Sequence, residues 1–273
     1  MPLLECGNWK LEGKSSSAVA TYIRIKELDL IFDLGRCPMH FIGTNHVFIS
    51  HFHLDHYFGL PIYISQRWLA GMPPGNIYVP LSGFKQLKNI LNRISALDTG
   101  RDWNYQITPV EAGDSFPFRR NLIAHILPGN HSVPAVSYLI CEVRKKLKPE
   151  YRDLSGREIV TLKLSGVEIT KEVQLPLVAY LGDTRGISLD AHPLLKQCKL
   201  LICECTFITP EHRERAKKTK HLHLDMLPTL LEHFESEYIV LNHFSRRYTP
   251  ELIRQEVFKK LPTSEHSRVH LFI

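Results

Sequence analysis

Long apolar runs are missing from this chain, and nothing approaches the roughly 20 consecutive apolar residues of a membrane-spanning helix. A helical membrane anchor is therefore excluded from the reading. The opening residues Met1-Pro2-Leu3-Leu4-Glu5 lack the basic stretch and apolar core of a secretory signal, so a cytoplasmic location is expected. Cysteine is sparse and irregular. Cys6, Cys37, Cys141, Cys198, Cys203 and Cys205 form no CxxC pair, which argues against a disulfide scaffold or a cysteine-based zinc site. Cys203 and Cys205 flank Glu204 in an apolar run and would share one strand face, as buried reduced thiols. Internal repeats, low-complexity tracts and linkers are also absent, so residues 1–273 read as a single domain.

What is present is an ordinary globular balance, 44% hydrophobic and 23% charged. The formal charge is +6, from 34 Lys and Arg against 28 Asp and Glu. That excess suits a polyanionic substrate, but many enzymes without one share it, so charge alone decides nothing. Short apolar segments at 18–25, 28–32, 47–50, 76–79, 122–127, 137–143, 177–181, 200–205 and 238–241 read as strands. Helical spacing marks 60–70, with Pro61 near its start and Gly71 just past its end, and also 81–95 and 225–234. Sheets covered by helices follow. The stretch 144–171 is rich in Lys, Arg and Glu, and reads as a charged surface excursion of helical character between two core strands.

Fifteen histidines are a rich supply, and their positions matter more than their number. Val47-Phe48-Ile49-Ser50 runs directly into His51-Phe52-His53-Leu54-Asp55-His56. The strand at 122–127 leads to His131, the one at 177–181 to Asp183, and the one at 238–241 to His243. Loops at strand ends present side chains that a sheet holds in place, so four strands can deliver ligands to one edge. His51 and His53 are two apart and project from one side of extended backbone, while Asp55 and His56 can reach a second position. Imidazole suits zinc, and a carboxylate can bind, bridge or take a proton from water. Two cations roughly 3.5–4 Å apart would clamp the oxygens of a phosphoryl transfer.

With H-x-H-x-D-H after a strand, the sequence resembles the metallo-β-lactamase superfamily. Within it the ribonuclease Z branch is similar, through Leu30-Ile31-Phe32-Asp33-Leu34-Gly35, Gly59-Leu60-Pro61 and His131-Ser132-Val133-Pro134 with Tyr138. Gly182-Asp183-Thr184, Glu204-Cys205-Thr206-Phe207 and His243-Phe244-Ser245-Arg246-Arg247-Tyr248 extend the resemblance. It implies a four-layer αββα sandwich with two metals at one edge. His51, His53 and His131 would hold one metal, Asp55, His56 and His243 the other, and Asp183 would bridge. A glutamate in place of His53 would have pointed to iron-binding oxidoreductases. Histidine favours hydrolysis with zinc, manganese being the second choice. The resemblance further implies that Asp55 orients or deprotonates water, and that Glu204 pairs with His221, which protonates the leaving oxygen.

Two departures bear on substrate. The branch usually has Gly before and Ser-Thr after the histidine matched by His221, whereas this chain reads Lys220-His221-Leu222-His223-Leu224-Asp225. A third metal site at His223 is not expected, because Met226 stands where a final histidine would be. The branch's long arm for precursor tRNA is replaced between Glu142 and Pro176 by a compact charged segment containing Arg144-Lys145-Lys146-Leu147-Lys148. The leading expectation is a two-zinc phosphodiesterase acting on RNA, as in tRNA 3′ processing. One alternative is a hydrolase of a small phosphodiester or other ester. The other is a nucleic-acid-binding protein with a decayed site, which the complete ligand set opposes. A homodimer is a family-level expectation.

Overall fold

Apolar and β-branched residues concentrate in short segments that pair into two seven-stranded sheets in a computed structural model, which describes residues 2–186, 189 and 192–273. The first sheet is β1 (Leu3–Cys6), β2 (Trp9–Ser16), β3 (Ala20–Ile25), β4 (Leu30–Leu34), β5 (His46–Phe48), β6 (Asn76–Pro80) and β7 (Gln106–Val110). The second is β8 (Ser115–Arg119), β9 (Leu122–Gly129), β10 (Ala135–Leu147), β11 (Thr170–Tyr180), β12 (Leu200–Glu204), β13 (Tyr238–Asn242) and β14 (Val269–Leu271). In each sheet the first four strands are antiparallel, and from the fourth onward they are parallel. The repeat that the sequence does not show is thus present in the topology.

Parallel neighbours need crossovers, and helices supply most of them. Sheet one is followed by α1 (Leu54–Tyr57), α2 (Leu60–Leu69) and α3 (Phe84–Asp98), and α4 (Gly156–Leu164) stands apart between β10 and β11. The second sheet carries α5 (Arg213–Thr219), α6 (Leu227–Leu231) and α7 (Pro250–Lys260). Alternation along each strand then sorts side chains into layers. Phe32, Phe48, Tyr138 and Tyr180 fill the space between the sheets, with the Phe32 and Tyr180 rings stacked 4.7 Å apart. Val47 and Ile49 point the other way, against Leu60 and Ile64 of α2 and Leu87 and Leu91 of α3. On the far side Leu201, Cys203 and Leu241 meet Leu227 and Leu231 of α6 and Val257 of α7. The result is the αββα sandwich.

All nine expected strands form. The expected strand at 18–25 starts only at Ala20, because Ala18 takes a left-handed turn with φ of 59°. The helix at 81–95 begins as a 3-10 turn and runs to Asp98, and the one at 225–234 is a 3-10 turn followed by the short α6. Between β10 and β11 the stretch 144–171 is not purely helical. The two strands stay paired from Arg144 with Val173 out to Leu147 with Thr170, and only α4 at the tip is α-helical. Nothing in α4 is buried, and Leu164 is 84% exposed. The six cysteines are free and all but Cys37 are buried. Among the described residues no helix is long and apolar enough to cross a membrane.

Candidate metal centre

Strands β5, β11, β12 and β13 run parallel within their sheets and finish at one rim, where the polar residues of the sequence gather. After β5 the chain passes through His51, Phe52 and an extended His53 and then turns into α1, which carries Asp55 and His56. The turn is possible because Gly35 has no side chain. A Cβ there would stand 1.9 Å from the Asp55 carbonyl oxygen. On the second sheet Gly182, with φ of 61°, swings the chain past Ser50 so that Asp183 enters the rim.

The seven candidate ligands meet there. His51, His53, His131 and Asp183 offer ligand atoms that all lie within 4.8 Å of one another, as do Asp55, His56 and His243. Asp183 stands between the groups, its Oδ2 3.7 Å from His51 Nε2, 3.3 Å from His56 Nε2 and 3.4 Å from His243 Nε2. His53 Nδ1 is 3.0 Å from His51 Nε2 and 3.2 Å from His131 Nε2, and His56 Nε2 is 3.2 Å from His243 Nε2. A tetrahedral ion with metal–nitrogen bonds of about 2.0–2.1 Å sets its nitrogens roughly 3.3 Å apart, so these separations fit divalent cations.

The opposite nitrogens are anchored, which fixes the rings. Asp33 is the hub, and sequence reasoning assigned it no role. Its carboxylate accepts Ser50 N–H at 2.7 Å, Ser50 Oγ–H at 2.8 Å, His56 Nδ1–H at 2.7 Å and Tyr180 O–H at 2.5 Å. His51 Nδ1 then donates to Ser50 Oγ at 3.0 Å, and His243 Nδ1 to Thr206 Oγ1 at 3.0 Å. Carboxylate and hydroxyl partners of this kind set the tautomer and leave the inward nitrogen a free lone pair. The signal was available: Asp33 is the one charged residue in the otherwise apolar β4.

Electrostatics suit the same purpose. Burial holds His51 well below the ordinary histidine range, and the charge of His56 adds to it. Burial also brings His131 down to about 4, against the opposing pull of Asp183. Neutral imidazoles are what a cation needs. Burial alone would lower His56, but the charges of Asp183 and Asp33 outweigh it and raise the group. A proton and a cation compete for that inward lone pair, and the carboxylates that attract one attract the other. Burial opposes the charge of Asp183, yet His243 and His56 hold it well below the carboxylate range.

Glu204 and His221 also meet at the rim. Fully buried Glu204 accepts His221 Nδ1–H at 2.8 Å, Thr184 N–H at 2.9 Å and Thr206 Oγ1–H at 2.5 Å. Burial would lower His221, but the charge and hydrogen bond of Glu204 prevail and push it up to about 9. His223 is turned elsewhere. It donates from Nε2 to Thr209 O at 2.9 Å and accepts Asp225 N–H at 3.1 Å, capping the turn that leads into α6.

Residues 37–244 match the family profile described as the Beta-lactamase superfamily domain. A chloroplastic tRNase Z of Arabidopsis thaliana is 34% identical over 259 residues, 94% of this chain and 73% of that protein. A second tRNase Z of that plant is 34% identical over 269 residues, 97% of this chain and 95% of the relative. The chain belongs to the tRNase Z family. Its fold agrees: the crystal structure of the short form of human tRNase Z superposes with a TM-score of 0.62 at 19% identity over 95% of both chains. A metal-dependent hydrolase that uses divalent cations is therefore the family's reading of this rim, and the chain is such an enzyme.

Proposed function

We propose that the chain is a two-zinc endoribonuclease that cuts precursor tRNA at its 3′ end. The observation that carries this is the meeting of five imidazoles and two carboxylates at one rim, in a chain whose relatives bear the name tRNase Z. His51, His53 and His131 would hold one ion, Asp55, His56 and His243 the other, and Asp183 both. A histidine-rich set without cysteine suits zinc, with manganese second. When bound, the ions supply positive charge for the phosphate oxygens and lower the pKa of water.

The chain's own residues do the rest. Asp55 is pinned by Ala18 N–H, which donates to its Oδ2 at 2.8 Å, and it orients and deprotonates the attacking water. His221, kept protonated by Glu204, gives its proton to the leaving oxygen, which departs as a sugar hydroxyl. The exposed Lys145 and Lys146, with Lys148 beside them, extend along the ribbon between β10 and β11 and hold RNA phosphates.

The test uses purified protein loaded with zinc, on precursor tRNA and on an aryl phosphodiester. His221→Ala is expected to slow RNA cleavage by about 10²–10⁴-fold. The aryl ester, whose leaving group needs no proton, should change little. Alanine at Lys145, Lys146 and Lys148 should weaken RNA cleavage alone. Wild-type protein active only on the ester would establish the small-ester reading instead. We also propose a homodimer. Leu54 in α1, Phe58 just after it and Ile62 in α2 are 62%, 58% and 50% exposed, apolar side chains that a second copy would cover. Sedimentation should give twice the mass of the chain, and Phe58→Glu should return it to the single mass. A wild-type monomer at micromolar concentration would sink the idea.

A further inference from the structure

Beside His221 lies a cavity of about 460 Å³ that no ligand position occupies. Besides Phe207 and His221, three stretches of the chain wall it. Ser17 and Ala18 come from the turn between β2 and β3, Arg215 from α5, and Arg246 and Arg247 from the loop after β13. The walls are stitched to the machinery. Ser17 N–H donates to Phe244 O at 3.2 Å, Ser245 N–H to Thr206 O at 3.0 Å, and Ala18 N–H to Asp55.

Charge is what distinguishes this cavity. Arg213, two residues before Arg215 in α5, is tied to Asp225, and Arg24 and Arg268 are likewise tied to Glu12 and Glu265. Arg215, Arg246 and Arg247 have no carboxylate partner among the described residues. All three are exposed, and Arg247 Nη1 reaches only Ser245 Oγ, at 3.2 Å. Three like charges around one small cavity repel unless an anion enters, and guanidinium forks match phosphate oxygens. The volume admits about one nucleotide rather than a duplex.

We propose that this cavity binds the phosphodiester one nucleotide removed from the scissile bond, on the leaving-group side. The side follows from His221, which lines the cavity and which the mechanism above assigns to protonate the departing oxygen, so the strand leaving with that oxygen would pass over it. The inference rests on the endoribonuclease reading above. Arg215 and Arg246 act here as positioning residues, since the scissile phosphate itself belongs to the metal rim.

The experiment uses an RNA stem with a single-stranded 3′ extension, cut by the zinc-loaded wild type, Arg215→Ala and Arg246→Ala. Each variant should keep its thermal midpoint and lose about 10–100-fold in kcat/KM, mostly through KM. The slope of log kcat/KM against log salt should flatten by about 0.7. A second substrate carries one neutral methylphosphonate at the leaving-side neighbour. Wild type should lose at least as much on it as either variant loses on natural RNA, and each variant should lose less on it than the wild type does. A methylphosphonate on the attacking side should instead affect wild type and variants alike. Losses that multiply at the leaving side, or that pair with the attacking side, overturn the subsite. Wild type that cuts no RNA defeats the endoribonuclease reading and the subsite together, and that outcome is distinct from multiplying losses in an active enzyme.

Discussion

Asp183→Ala is expected to lower kcat/KM by roughly 10⁴-fold or more and to remove bound metal. Among the described residues, Asp183 is the only carboxylate whose oxygen lies within 3.7 Å of imidazoles from both ligand groups, at His51, His56 and His243. It is 3% exposed, so water cannot replace the lost charge readily. Without it, cations near five imidazoles would have Asp55 as their only remaining carboxylate in the ligand set. Metal content measured by inductively coupled plasma mass spectrometry should fall from two equivalents per chain. Asp183→Asn keeps the shape but not the charge and should lose metal as well. An alanine variant with two equivalents and activity within tenfold of wild type would contradict the bridging role.

The second large effect concerns stability. Asp33→Ala should cost about 3–5 kcal/mol, the range for removing one partner of a buried pair. Asp33 is fully buried, and its loss strands four donors: Ser50 N–H, Ser50 Oγ–H, His56 Nδ1–H and Tyr180 O–H. These donors come from the exits of β5 and β11 and from α1, so both sheets lose a shared anchor. Backbone adds to the effect. Asp33 has φ of 53°, a left-handed conformation that Asp and Asn tolerate better than alanine. Asp33→Asn should therefore cost less. Metal affinity should drop about 10–100-fold too, because His56 loses its orienting partner. Urea denaturation of the apo protein measures the first effect, and a change below about 1 kcal/mol would refute it.

Much of this rim was readable because its ligands sit next to strong strand signals. Val47-Phe48-Ile49 is apolar and β-branched, and the histidines begin two residues later, so the element and the ligands are read together. Asp33 shows the limit. Its partner His56 is 23 residues away, and only the parallel pairing of β4 with β5 brings them together. Several strands were missed for a related reason. In β2 the inward residues include Gly13 and Ser15, too small or polar to make a hydrophobic alternation, and β8 contains Pro117. The ribbon past residue 144 was missed because its strands pair with each other in solvent, where no buried face dictates an apolar pattern. Helix α7 was missed although Thr249 and Pro250 carry the start signal, Thr249 Oγ1 accepting Leu252 N–H at 3.3 Å.

The continuity of β11 has one more consequence. The strand begins at Thr170, at the base of the ribbon tip, and ends at Tyr180, three residues before Asp183. Eleven extended residues at about 3.3 Å each put roughly 35 Å between the two ends. A molecule must be at least that long to touch both. Short oligonucleotides and small esters can reach the rim alone, whereas a folded RNA can gain hold at the far end as well. The strand thus fixes the span between rim and ribbon tip by its length rather than by any side chain.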